Sequence, residues 1–209
     1  MGKLGYIVRE PLSNSLENRA EVLIMDVFEA IKGRRSIRKY RPDPVPDAVV
    51  DEVLEAVRWA PSWANTQCWE VIAIREPEIK AKVAEALPPT NPSLSSLRDA
   101  PVLLVFCAIR NRSGYKKGEV TTDKGDWFMF DIGLAMENLC LAAHSLGLGT
   151  VIIGLFDAKK VEILLGVPEN VSVVAMTPLG YPQGEVSAPK RKELTDFVHF
   201  ERYRKSQGV

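Results

Sequence analysis

Apolar positions along this chain alternate between the 3.6-residue period of helices and the unbroken runs of buried strands. Val27, Phe28 and Ile31 form a stripe after Asp26, which can cap a helix, with Glu29 three residues on as a capping box requires. Gly33 suits the end of that helix. Val49, Val50, Val53, Leu54 and Val57 predict a second helix over 46–60, with Pro46 suited to its first turn and Pro61 ending it. Residues 69–74 read as a strand, 78–87 as a short helix, and the continuous apolar run 102–109 as a central strand. The longest helical pattern, 128–146, spreads Phe130, Leu134, Leu139, Leu141 and Ala142 too evenly for a surface helix, which predicts a buried one. A short strand over 151–153, a helix capped by Asp157 and running to 165, and a strand over 171–178 before a turn at 180–182 complete the series. Residues 88–98 and 111–125 read as long loops, a length that often marks functional lids. Residues 1–24 show no sustained period and read as an arm or upstream extension, leaving 25–209 as one domain. The mixture predicts an α+β or α/β layer fold.

Composition narrows the function classes. The 209 residues, 46% of them hydrophobic, suit one globular domain with a sizeable core. Lys and Arg number 27, Asp and Glu also 27, and this balance argues against a general nucleic-acid or acidic-membrane binder. A local basic pocket for one phosphate remains open. No apolar run is long enough to span a bilayer and no secretory signal pattern is visible, so a cytoplasmic protein is expected. Cys68, Cys107 and Cys140 have no Cys-x-x-Cys spacing and are expected to be reduced, mostly buried thiols. His144 and His199 belong to no metal-ligand spacing, so no metal site is expected.

Four segments are candidates for chemistry. Arg34-Arg35-Ser36-Ile37-Arg38 places three guanidiniums and a hydroxyl within five residues, and guanidinium forks match phosphate oxygens. In an extended segment Arg34, Ser36 and Arg38 would face one side, with Arg35 opposed. Taken alone, the segment also reads as a solvated basic loop. Ala60-Pro61-Ser62-Trp63-Ala64-Asn65-Thr66-Gln67 offers small amides and hydroxyls that could bond a heterocycle edge, or form an ordinary connecting turn. Leu146-Gly147-Leu148-Gly149-Thr150 has glycines after a helix and before a strand, the reverse of a dinucleotide fingerprint, so they are read as ending the helix and letting backbones approach. Lys190-Arg191-Lys192 alone reads as a solvated triplet. No Ser-His-Asp or Cys-His arrangement is defensible, since His144 and Ser145 are sequence neighbours whose side chains diverge on a helix.

Together and in this order, these pieces resemble the FMN-dependent nitroreductase family. The resemblance is carried by 25–31 with 34–40, by 60–62 with 65–69, by 131–139 with 146–149, by Leu179-Gly180-Tyr181-Pro182, and by 190–194. It covers roughly residues 25–200. It implies an α+β fold with a central mixed, largely antiparallel sheet flanked by helices, and an intimate homodimer with FMN at the subunit interface. It further implies that Arg34, Ser36 and Arg191 grip the FMN phosphate, that Arg35 helps fix the flavin or ribityl chain, and that Arg38 lies near the N1/O2 edge. Pro61, Ser62 and Asn65 or Gln67 would reach the flavin of the other subunit, and backbone around Ile153, Gly154 and Leu155 would approach N5. The implied reaction is a ping-pong hydride transfer from NADH or NADPH through flavin N5 to a nitroaromatic, quinone or similar conjugated small-molecule acceptor, with no side chain strictly required as acid or base. Reductive dehalogenation, another dehydrogenation and a non-catalytic flavin redox sensor are the alternatives. Glu193 departs from the proline that many members carry there. The 88–98 and 111–125 loops carry nothing over, and substrate choice is expected to sit in them.

Overall fold

The computed structural model describes residues 25–203, so the expected arm at 1–24 lies outside the described residues. The helices are α1 (Val27–Gly33), α2 (Asp47–Arg58), α3 (Pro77–Ala84), α4 (Leu94–Asp99), α5 (Phe128–Ser145) and α6 (Ala158–Leu165). The strands are β1 (Trp69–Ile74), β2 (Val102–Ile109), β3 (Tyr115–Lys116), β4 (Glu119–Val120), β5 (Gly149–Thr150) and β6 (Val171–Gly180). The main sheet has the order β1-β2-β6-β5 with every neighbouring pair antiparallel, and β3 and β4 form a separate hairpin. One parallel contact, the bridge between Ser36 and Thr150, joins the chain after α1 to the sheet. The fold is therefore α+β, as the resemblance implies.

The unbroken apolar run of β2 has a direct structural cause. Val102, Leu104, Phe106 and Ala108 pack on one face with α2 and α5, while Leu103, Val105 and Cys107 pack on the other with α3 and α6. A strand covered on both faces has no polar side, so its sequence does not alternate. The local signals at the helix starts also hold. Asp26 and Glu29 form a capping box on α1, and the Asp157 carboxylate accepts the Lys160 N–H at the start of α6.

Four expectations change. The 88–98 segment is not a free loop: Leu94 and Leu97, three residues apart, lie on α4, and Leu97 is fully buried. Its Pro and Ser content masked one helical turn. The 111–125 segment contains the β3–β4 hairpin, turned by Lys117 and Gly118 with positive φ. The strand expected at 151–153 is displaced to β5, and Ile153 instead makes an isolated bridge to Met176. Finally, α5 buries only one face. Ile132, Ala135, Met136, Leu139, Cys140 and Ala143 are buried, but Met129 and Phe130 are 61% and 57% exposed. Among the described residues no helix is long and apolar enough to cross a membrane, and no group of His, Cys, Asp and Glu could hold a metal ion.

Candidate active site

The basic segment after α1 is held as a straight strip at both ends. Ile37 N–H donates to Thr150 O (2.8 Å), Arg41 N–H to Tyr181 O (2.9 Å) and Gln183 N–H to Lys39 O (2.9 Å). The buried Tyr40 hydroxyl donates to Ile37 O at 2.7 Å. Burial pushes that phenol far above its ordinary pKa, so it stays a neutral donor. Ile37 points inward and presses on Gly149, while its neighbours face a cleft of about 540 Å³. A methyl group on Gly149 would sit 2.6 Å from Ile37 Cγ1 and 2.7 Å from its Cβ. Gly149→Ala is therefore expected to push the whole strip outward. Overpacking of this kind costs about 1–3 kcal/mol, read as a lowered urea midpoint; an unchanged midpoint would refute the close approach.

Arg34, Arg35, Ser36, Arg38 and Arg191 all line that one cleft, with Thr150 and Ile152 in its wall. The wall carries four arginines and no acidic side chain. Arg34 Nε lies 3.5 Å from Glu137 Oε1, yet Nε of Arg34 and Nε of Arg35 are both buried without a hydrogen-bond partner. Burial, then the charges of Arg35 and Arg34, hold His144, in the adjoining hollow, below its ordinary pKa. Arg35 is not opposed to its neighbours as simple alternation predicts. The chain turns at the end of α1, and Arg35 Nη1 folds back to donate to Lys32 O (2.6 Å) and Arg34 O (2.7 Å). Arg38 Nε donates to the buried Ser93 Oγ at 3.3 Å. Asn91, on the same turn, sends Nδ2 to Leu155 O at 3.1 Å. The 88–98 segment thus braces two expected flavin elements, a role its loop-like composition did not disclose.

The second expected element sits apart from this cleft within one chain. Asn65 and Gln67 line a different hollow beside Arg58, Trp59 and Ala60, and Pro61 is exposed next to them. Ser62 Oγ accepts Gln67 N–H at 2.9 Å, and Gln67 Nε2 donates to Asn65 Oδ1 at 3.2 Å. Ala64, Asn65 and Gln67 all adopt positive φ (46°, 55° and 47°), at roughly 1 kcal/mol or more apiece for side chains in that region. Such a turn needs an outside anchor. Asp131, fully buried in the first turn of α5, provides one by accepting Trp63 N–H at 2.9 Å. The sequence signal for it was an acid in the first turn of a largely apolar helical pattern whose other acid is Glu137.

The third expected element is divided between buried and exposed residues. Ile153 N–H donates to Met176 O (2.8 Å) and Ile153 O accepts Met176 N–H (3.0 Å), so its amide is already used and its side chain is buried. Gly154 and Leu155 are exposed, and Ile152 rather than Ile153 lines the cleft. The bridge that Ile153 makes to Met176 accompanies this division, with Ile153 buried and Ile152 in the cleft wall.

Cys68, Cys107 and Cys140 are free and buried. Burial, with the nearby Asp131 carboxylate, pushes Cys68 up to about 12, and burial pushes Cys107 to about 11. These protons stay on in the folded chain after they leave the unfolded one. Their stabilisation is complete below the unfolded thiol value near 9 and is lost as pH rises toward 11 to 12. The expected result is no reaction with a thiol reagent at about pH 8 in the native state and full reaction in denaturant. Rapid native labelling would contradict it.

A model of the nitroreductase family matches residues 31–93 and 88–181. The chain is similar to a putative NADH dehydrogenase/NAD(P)H nitroreductase of Methanothermobacter thermautotrophicus, 34% identical over 185 residues, covering 86% of this chain and 88% of that protein. It is 33% identical to an FMN reductase [NAD(P)H] of Bacillus subtilis, across 85% of this chain and 74% of the other. Among solved structures, the NADPH:FMN oxidoreductase of Vibrio harveyi complexed with NAD+ superposes with a TM-score of 0.74 at 29% identity, covering 86% of this chain and 78% of that one.

Proposed function

This chain belongs to the nitroreductase family, and on that premise we propose that it is an FMN-dependent NAD(P)H oxidoreductase that reduces a nitroaromatic, a quinone or a similar conjugated acceptor. The observation that carries the reading is the cleft wall of four arginines and no acid, with two buried guanidinium Nε atoms that make no hydrogen bond. Such donors fit a dianionic phosphate. FMN, when bound, supplies the hydride chemistry at its ring. Arg34, Ser36 and Arg191 hold its phosphate, and Arg35 supports the ribityl end. Arg38, steadied by Ser93, brings positive charge to the pyrimidine edge, where a fixed guanidinium stabilises charge gained on reduction. Backbone near Ile152, Gly154 and Leu155 borders the opposite edge.

The working unit in this reading is a homodimer. Phe28 and Ile31 on α1 are 65% and 50% exposed, Met129 and Phe130 leave one face of α5 bare, and Leu194, Phe197, Phe200 and Tyr203 stand out from the C-terminal segment. Apolar surface of this extent marks an interface. A second copy covering α5 would bring Pro61, Ser62, Asn65 and Gln67 to the partner's cofactor. The expected solution mass is twice the 23.2 kDa of one chain, and Phe130→Glu is expected to shift it toward monomer with loss of bound flavin. Sedimentation showing only monomer in the unsubstituted protein would refute the dimer. A cytoplasmic setting, where free thiols persist, suits this chemistry.

The deciding experiment is an absorbance spectrum of the purified protein with and without NADH or NADPH. The expected result is a flavin spectrum that bleaches on adding donor and recovers with a nitroaromatic or quinone. Colourless protein that takes up no FMN on titration would overturn the proposal, and bound flavin that neither donor bleaches would favour the sensor alternative.

A further inference from the structure

Asp131 lies outside the arginine cleft, yet its carboxylate joins three stretches of chain. Oδ1 accepts Trp63 N–H at 2.9 Å; Oδ2 accepts Ser113 Oγ at 2.6 Å, Thr66 Oγ1 at 3.5 Å and Cys68 Sγ at 3.6 Å. Every one of these partners is a neutral donor, and Asp131 and Ser113 are both fully buried. A fully buried carboxylate with several lone pairs fixes the direction of each donor that reaches it. The 62–68 turn needs this, because three of its residues sit at positive φ and its internal bonds (Ser62–Gln67, Asn65–Gln67, Asn65 N–H to Ser62 O at 3.1 Å and Thr66 N–H to Trp63 O at 3.0 Å) join the turn to itself and not to α5. Ser113 opens the other segment. Trp127 N–H donates to Ser113 O (3.1 Å), Trp127 Nε1 to Thr122 Oγ1 (2.7 Å), and Asn111 N–H to Asp126 Oδ2 (2.6 Å), so 111–127 is a closed loop carrying the β3–β4 hairpin.

We propose that Asp131 is a positioning residue that fastens the 62–68 turn and the 111–127 loop to the start of α5 as one unit, setting the cofactor-facing amides and the acceptor-selecting hairpin together. This rests on the reading that the turn reaches FMN across the dimer and on the expectation that the 111–125 segment selects the acceptor. The side chain does no chemistry itself. It holds Trp63 N–H on one oxygen and Ser113 on the other, so a change at either segment is felt by both.

Three variants of the full chain test this: Asp131→Ala, Asp131→Asn and Ser113→Ala. Each is checked for dimer mass and helix content, titrated with FMN, and assayed for KM and kcat with a quinone. Asp131→Ala is expected to bind FMN about tenfold more weakly or worse, with a displaced flavin absorption band and a raised quinone KM. Asp131→Asn keeps an acceptor for Trp63 N–H and is expected to restore most of the FMN affinity. Ser113→Ala is expected to raise the quinone KM about threefold or more, with a smaller change in kcat. A folded, dimeric Asp131→Ala with wild-type FMN affinity and spectrum overturns the proposal. If Asp131→Ala does not fold, Ser113→Ala decides, and a wild-type KM overturns it. Unsubstituted protein that binds no FMN would instead refute the flavin reading, a distinct outcome.

Discussion

Replacing both Arg34 and Arg191 with alanine is expected to weaken FMN binding by roughly two to four powers of ten. Each guanidinium facing a phosphate contributes about 1.5–3 kcal/mol through charge-assisted hydrogen bonds, and about 1.4 kcal/mol corresponds to tenfold in affinity. The two lie 157 positions apart in sequence but line one cleft, so the phosphate would lose donors from both walls. The fold should survive. Arg191 is exposed, and the one acid beside Arg34 is the half-exposed Glu137 at 3.5 Å. Fluorescence titration of the apoprotein reads the loss directly, with circular dichroism as the control for folding. Arg34→Lys is expected to lie between the wild type and the double variant, because an ammonium keeps the charge and loses the fork. A double variant within threefold of wild type would place the phosphate elsewhere.

Phe106→Ala is expected to destabilise the folded protein by about 3–5 kcal/mol, the usual range for a fully buried phenylalanine. Phe106 is fully buried on β2, between Val71 of β1 and Ala175 of β6, under α2 and α5. Strands on both sides and the long helix above limit how far the site can collapse, so a cavity would remain. For a chain of this size the melting temperature should fall by roughly 6–20 °C. Urea titration at fixed protein and FMN concentration should show a lower midpoint with an unchanged slope, which identifies a change in stability rather than in compactness. Val120→Ala, on the half-exposed edge of the hairpin, serves as the control and should stay within about 0.5 kcal/mol. A Phe106→Ala midpoint equal to that control would mean the centre of the sheet is not where the core stability resides.

The chain by itself determined its local elements. The capping box at Asp26 and Glu29, the Asp157 cap, the strand 69–74 and the run 102–109 all appear where their residues predict, because caps and periods depend on neighbours a few positions away. The order of motifs also carried the family resemblance, and with it the gathering of Arg34, Ser36 and Arg38 with Arg191. Tertiary structure decided the rest. Whether Leu94 and Leu97 make a helix within a Pro- and Ser-rich stretch depended on the core they pack into. Whether Ile153 or Ile152 faces the cleft depended on a bridge to Met176, a strand away. That Arg35 turns back onto its own helix, and that Asp131 ties residue 63 to residue 113, depended on backbone directions that only long-range pairing sets. Periodicity records which side of an element is buried, but not which distant groups will meet there.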